Sequence, residues 1–551
     1  MNVNLEALRQ TILIPGLVIG LVLLTYIYYL YASSWRVIPK GIPWFFSEPG
    51  ASVQTPSWYA QVKAHLGDFD KGVKYAHEGY NKFSKIGKPF IAPSFVTWQP
   101  EVVLPPSQIR WLVDQPDTIL SINQALIKDL EFLYTTPTAW SFTRPFHVEA
   151  LNKLRMDSLI PDMSSEVQTS IDLAWGTDTQ TWKSVNIEDT MRHVLVRITA
   201  RIVVGTPLCR NKTYIENAHN FMAQLGPRAV AISFTPELLR PLTGWYLSRA
   251  LKTWNKTCAD LMVPLVKQEM THRRPSDQKT LPVPKTLLEQ MARLAVRGSD
   301  PKDTDPFSIS SRLLALNFVA VHTSNAALTN VLLDIMSPPA AAAGTHDDVF
   351  AELRAEAETV HTACQGKWSK TSVNQLEKID SALRESLRVS TFKARGVERV
   401  VVAPGGVTLP DGTFLPKGTK VGVPVLPIHH DEAFYSNART YEPLRFYGGK
   451  VKAAAAAEQQ QQQGERDSSP AAPQGHVELI NSSETFLAFG HGKHACPGRF
   501  MAAYELKLII AYIAMNYDIE PFQERPRNAE FSDFSVGSMH NIKIRRRKVG
   551  V

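Results

Sequence analysis

The chain has 551 residues, 44% of them hydrophobic and 20% charged, with a formal net charge of +8. This composition supports a sizeable core and excludes wholesale disorder, and four scattered cysteines without a CxxC pair exclude a disulfide-stapled secreted domain. No Pro/Gly/Ser-rich linker divides the middle, so one large body is expected, with a basic surface suited to anionic lipid or an acidic protein.

The first element is an uncharged apolar run, Thr11 to Ala32, with tyrosines clustered at one end. About 20 apolar residues span a bilayer, and a cleaved leader has a shorter apolar core of about 7–15. The sequence therefore predicts a transmembrane anchor over residues 1–35, with Arg36 and Lys40 placing the body on the cytosolic side. Residues 36–50 contain Val37-Ile-Pro-Lys-Gly-Ile-Pro43 and predict a stiff extended connector. Residues 51–551 form the body.

Within the body, apolar spacing of three and four predicts helices over Leu120–Tyr134, Asn186–Val204, Ser308–Met336, Leu376–Val389 and Met501–Tyr517. Strands are expected in one region only. There Glu398–Ala403, Thr408–Leu409 and Thr419–Val423 surround the turn signals Pro404-Gly405-Gly406 and Pro410-Asp411-Gly412. The fold class is thus mainly α with a small β-sheet region. The order is not alternating βαβ, which disfavours a nucleotide-binding sheet. The Ala/Gln-rich stretch 452–474 reads as a surface insertion. Arg545-Arg546-Arg547-Lys548 reads as a solvated basic tail. No basic run has interleaved aromatics, so no nucleic acid partner is expected.

The most informative segment is Phe489-Gly490-His491-Gly492-Lys493-His494-Ala495-Cys496-Pro497-Gly498. A thiolate bound to iron beneath a flat macrocycle needs a loop that passes close to it. Glycines permit that approach and positive φ. A helix beginning just after Cys496 would direct its positive end at the sulfur and favour thiolate. Pro497 suits a first turn. Three other readings stand beside this one. A structural cysteine in a glycine-rich turn is the plainest. A dinucleotide loop needs a βαβ unit that is missing here. Zinc on His491, His494 and Cys496 needs further ligands at the usual spacings, and none follow.

On Phe489, Gly492, His494, Cys496 and Gly498 the segment resembles the haem-binding signature of the cytochrome P-450 family. The resemblance implies that fold, preceded by one N-terminal transmembrane helix, and haem b with Cys496 as the axial iron ligand. It implies that His494 donates to a haem propionate. Glu385 and Arg388, with Arg445 of Pro443-Leu-Arg-Phe446, match the family's buried structural clamp. Ala320-Val-His-Thr-Ser324 falls on the oxygen-activating stretch of the long helix, with Thr323 as the threonine that helps deliver protons, beside Ser324. His322 departs from the family's acid there, and a proton relay through His322 is the expectation, because histidine titrates near neutral pH. His147 lies near where the family often contacts a propionate, but its flanks match poorly. His429-His430-Asp431 and the turn at Thr408–Thr413 read as structural.

By the same resemblance the activity is a monooxygenation of a small hydrophobic molecule. Electrons would come from NADPH–cytochrome P-450 reductase, with cytochrome b5 as a further partner, at the endoplasmic reticulum membrane. The segments AVHTS and FGHGKHACPGRF are similar to fungal ent-kaurene oxidase and to terpenoid and indole-diterpene tailoring enzymes, so a terpenoid is the expected substrate. The alternatives are a haem-thiolate isomerase or dehydratase that needs no reductase, and a haem-binding sensor.

Overall fold

The computed structural model describes residues 14–35, 39–50, 56–136, 145–271, 283–298, 300–337, 346–448 and 476–548. The insertion 452–474 lies outside them.

The principal helices are α1 (Ile14–Trp35), α2 (Trp58–Lys82), α3 (Pro145–Asn152), α4 (Met156–Trp175), α5 (Ile187–Val203), α6 (Lys212–Ser233), α7 (Arg249–Thr271), α8 (Leu287–Ala295), α9 (Pro306–Ile335), α10 (His346–Ala363), α11 (Glu377–Val389) and α12 (Arg499–Asn516). Their starts follow local chemistry. The Asn186 side chain accepts the Asp189 amide at 2.9 Å ahead of α5, with Glu188 and Asp189 in the first turn. Asp305 accepts the Ser308 amide at 2.8 Å ahead of α9, and Pro306 occupies its first position. Such caps satisfy amides that have no partner inside the helix. Four of the five helices expected from periodicity form within two residues of their predicted ends. Leu120–Tyr134 does not. Its first two residues are a strand, and the helical remainder breaks at Glu131, whose φ is +44°.

Helix α9 runs through the middle of the larger core, against α5, α7, α11 and α12. Leu313, Leu314, Leu328, Val331 and Leu332 on it are fully buried or nearly so. At about 1.5–3 kcal/mol for each such side chain, this helix is held by packing rather than by intrinsic preference.

The strands are more widely spread than the sequence suggests. Strands β1 (Phe90–Ala92), β2 (Glu101–Val103) and β3 (Leu120–Ser121) come from the first quarter of the chain, β4 (Lys183–Asn186) from the second. β5 (Gly396–Val401), β6 (Val407–Thr408), β7 (Phe414–Leu415) and β8 (Lys420–Val423) form the predicted region, and β9 (Tyr517–Ile519), β10 (Ala529–Phe531), β11 (Phe534–Val536) and β12 (Asn541–Arg546) close the chain. The main sheet has the order β1-β2-β8-β5-β3, with β2 and β8 parallel and the other neighbours antiparallel. Three-residue strands carry too little alternation to be read as period two.

Two further expectations change. The connector is part of the body: Phe45 donates to the Ile91 carbonyl at 3.0 Å, and Ile42, Trp44 and Phe45 are buried beside the main sheet. The basic run is not a solvated tail. Arg545 and Arg546 lie in β12, Arg546 pairs with Asp172, and Arg547 pairs with Glu358 at 2.9 Å. The expected span forms a helix, α1, of 22 residues with Leu17, Leu21, Val22 and Leu24 exposed. Among the described residues, however, no helix is long and apolar enough to cross a membrane, so the anchor expected over residues 1–35 is not supported.

Candidate functional site

A cavity of about 470 Å³ lies between α3, α9, the start of β5 and the loop that precedes α12. Its walls are mostly apolar, with Leu126, Val148, Leu151, Leu316, Val319 and Leu487 among them. The Cys496 side chain opens into it. Two glycines set the loop's course: Gly490 and Gly492 have φ of +67° and +72°, a region that side chains rarely adopt. The loop then closes on itself, with the Cys496 amide donating to the Phe489 carbonyl at 2.8 Å. α12 begins at Arg499 with Gly498 as its cap residue, so the sulfur sits at the helix's amino end. Burial pushes the Cys496 thiol up from its ordinary range, while the Gly498 and Arg499 amides and the Arg499 charge pull it back toward thiolate. A Cβ on Gly498 would stand 3.9 Å from the sulfur.

The structure brings Cys496, Phe489, His494, Gly498, Thr323 and Ser324 to this one cavity, and His147 with them. Gly492 lies behind the wall, where a Cβ would come within 2.8 Å of Val113 Cβ. His322 is not in the wall. Its Nε2 is 3.1 Å from the Met222 carbonyl of α6 and its ring packs edge-on against Phe318, with burial lowering its pKa. The relay expected of His322 therefore lacks the geometry it needs. Thr323 Oγ1 donates back along α9 to the Val319 carbonyl at 2.9 Å.

Glu385 and Arg388 are fully buried on one face of α11, in a two-bonded fork of 2.8 and 2.7 Å. Arg445 adds a bond to the same carboxylate at 2.9 Å. Arg388 also donates to the carbonyls of His429, Ala438 and Thr440. From there the His429 ring, kept neutral by burial and by the Arg388 charge, accepts the Leu487 amide at 2.9 Å. The clamp thus reaches the residue two before Phe489 through two hydrogen bonds. Asp380, on the same helix, holds the Leu479 amide, His476 and Lys507 of α12.

The residues fit a flat, iron-bearing macrocycle with acidic side chains. A soft sulfur donor faces an apolar cavity. Lys493 and His494 stand together at the loop, both engaged by the exposed carboxylate of Asp117. Arg399, buried and held down to about 10 by that burial, lies near the same acid. Its guanidinium donates to its neighbour's carbonyl, and Arg399, Lys493 and the His494 ring, whose charge burial disfavours, could donate hydrogen bonds to carboxylates. Sequence reasoning missed Arg399, which sits in a short strand without a distinctive motif.

Residues 115–543 match the family model described as Cytochrome P450. Among curated proteins, the chain is 32% identical to cytochrome P450 monooxygenase polB of Polytolypa hystricis, over 86% of this chain and 88% of the relative. It is 31% identical to cytochrome P450 monooxygenase lnaC of Aspergillus flavus, over 92% and 94%. It is also 31% identical to cytochrome P450 monooxygenase okaG of Penicillium ochrochloron, over 82% and 85%.

Proposed function

The chain belongs to the cytochrome P450 family and is a monooxygenase, and on that basis we propose that Cys496 would hold the iron of a haem b in the cavity that the 489–498 loop lines. The observation that carries this reading is the half-buried Cys496 at the amino end of α12, lining an apolar cavity. When bound, haem supplies the oxygen-activating chemistry, and a thiolate ligand favours cleavage of the O–O bond. A non-covalent haem agrees with the other three cysteines, none of which lines the cavity.

The protein's own groups take four tasks. Arg399, Lys493 and His494 would hold the haem carboxylates. The apolar wall binds and orients the substrate and excludes water, which strengthens every polar interaction inside. Thr323 and Ser324 present hydroxyls at that wall, and a rotation of Thr323 away from Val319 would free its proton for the cavity. Glu385, Arg388 and Arg445 do not touch the cavity and keep the loop in place.

The substrate is a small hydrophobic molecule, and the apolar lining supports a terpenoid or a related fungal metabolite. Electrons would come from NADPH–cytochrome P-450 reductase, assisted by cytochrome b5, since no βαβ nucleotide-binding sheet exists among the described residues. The exposed apolar side chains of α1 support attachment to the endoplasmic reticulum membrane with the body in the cytosol.

A carbon monoxide difference spectrum of the reduced protein tests the ligand directly. The thiolate-type band is expected in the parent and should vanish in Cys496→Ser together with turnover. A Cys496→Ser protein with unchanged colour and activity would end this reading. Metabolite profiling of a strain lacking the protein addresses the substrate. Product formation without NADPH would instead favour an isomerase.

A further inference from the structure

One cluster of buried and half-buried charge lies apart from the clamp and the cysteine loop. Among the described residues, five carboxyls there share three cations: Asp68, Glu101, Asp129, Glu398 and Asp533 stand around Lys393, Arg395 and Lys420. Lys420 meets Asp129 at 2.7 Å and Glu398 at 3.3 Å, and Lys393 also bonds Glu398. Arg395 lies 3.3 Å from Asp533, 3.5 Å from Asp68 and 3.7 Å from Glu101. The cluster ties α2, β2, the helix Ile122–Asp129, the segment 393–398, β8 and the turn between β10 and β11 to one another. Two of these pieces are cavity wall. Ile122 and Leu126 of the helix line the cavity, and so do Lys393, Arg395, Gly396 and Val397.

Acids outnumber bases here, and an unpaired charge is costly to bury, so a carboxyl in this company keeps a proton. The contacts show where. Asp129 and Glu398 hydrogen-bond to each other, which two bare carboxylates cannot do. Burial opposes the charge of Glu398, yet Lys393 and Lys420 hold it ionised, whereas burial pushes Asp129 up, so Asp129 is the donor. Glu101 is buried with no partner at Oε1, and burial and the Glu398 charge push it up as well. Burial also raises Asp68, against the Arg395 charge. The remaining charges nearby are engaged elsewhere. Lys128 donates to Gln99 at 3.2 Å, Glu131 pairs with Arg240 at 3.1 Å with Glu237 beside them, and Arg399 lies toward Asp117. His65 of α2 is kept neutral by burial.

We propose that this cluster is a pH-sensitive switch in the cavity wall: protons on Asp129 and Glu101 fasten the helix Ile122–Asp129 to the main sheet, and their release to solvent loosens it. Asp129 is the last residue of that helix and its tether, reaching β8 through Lys420 and β5 through Glu398. Without its proton, Asp129 repels Glu398 across the contact. Glu101 pairs in register with Lys420 in the parallel strands β2 and β8, so an ionised Glu101 competes with Asp129 for that ammonium. A loosened helix carries Asp129 toward water, where its pKa returns to the ordinary carboxylate range. The fastened state thus keeps its proton to higher pH than the loosened state does. Fastening is strongest in acid below the ordinary range, fades as pH rises through the fastened value and stays weak above it. This behaviour is independent of the chemistry proposed for Cys496.

The test is amide hydrogen exchange of the full-length holoenzyme, read by mass spectrometry and normalised for the intrinsic pH dependence of exchange. Opening of residues 122–130 should be at least about tenfold more frequent at about pH 8 than at about pH 5, while α11 serves as the control that does not change. Asp129→Asn stays neutral and keeps a donor toward Glu398, so it should hold the segment closed at both pH values. Glu101→Gln should shrink the pH dependence at least about threefold. A parent whose normalised exchange at 122–130 is the same at both pH values overturns the switch without any variant. So does a parental pH dependence retained in both Asp129→Asn and Glu101→Gln. If one variant fails to fold, the other decides by the same criterion.

Discussion

Gly492 shows how one missing side chain shapes the site. Its backbone is left-handed and its α-carbon faces Val113 so closely that a Cβ would overlap the Val113 Cβ at 2.8 Å. Gly492→Ala therefore combines backbone strain with an overlap that no rotamer can relieve, at a cost of about 1–3 kcal/mol. Haem content per protein should fall and thermal unfolding should shift down. Val113→Ala, which keeps the Cβ, should restore little. An unchanged haem content in Gly492→Ala would show that the loop can move away. The requirement for glycine was legible in the signature segment. Its cause was not, because Val113 lies 379 residues earlier in a helix that only the fold brings to the loop.

Helix α11 acts as a girder. Its buried face carries Asp380, Arg384, Glu385 and Arg388, and each ties a distant segment to the helix. Glu385→Ala would leave the Arg388 guanidinium buried with carbonyl partners only, and an uncompensated buried charge costs about 3–5 kcal/mol. Denaturant titration should show that loss, or no folded protein should be recovered. Arg445→Lys keeps the charge but loses the planar fork, so a smaller loss of about 1–2 kcal/mol is expected. Equal losses for both variants would contradict this ranking. The Asp380–His476 pair adds a pH dependence. Burial opposes the charge on each partner, yet the hydrogen bond and mutual charge prevail. They raise His476 above its ordinary value and, with Lys507, lower Asp380. A raised histidine stabilises the fold below its unfolded pKa, and that contribution fades as pH rises through the folded value. A lowered carboxyl stabilises above its unfolded pKa and fades in acid. His476→Ala should therefore lower the melting temperature more at about pH 6 than at about pH 8.5. A difference that grows with alkalinity would contradict this account. The acid and base one turn apart in α11 could be read from spacing. Their complete burial, which turns a surface-type pair into a clamp, could not.

At the scale of the whole molecule, the catalytic body is assembled from the chain's two ends. The main sheet pairs β2 with β8 across more than 300 residues, the connector docks onto β1, and β12 returns to β4. Deleting residues 452–474 should leave haem content and the carbon monoxide band nearly unchanged, because the described residues of the clamp and of the cavity wall all lie outside that stretch. Collapse of haem incorporation would assign the insertion a structural task. Removing residues 1–35 should leave the carbon monoxide band intact, since no described residue of α1 lines the cavity.

By itself the sequence determined whatever is local: the glycine-rich cysteine loop, the helix that starts behind it, the long α9, the spacing of Glu385 and Arg388, and through these the family. A short window carries these features because spacing along one helix or turn already specifies them. Only the tertiary structure decided the rest. It turned His322 toward α6, drew the connector and the basic C-terminal run into the body, and joined His429 to the cysteine loop. Each of these depends on which side chains meet across elements, and burial and the company of charges are properties of those meetings rather than of any residue alone.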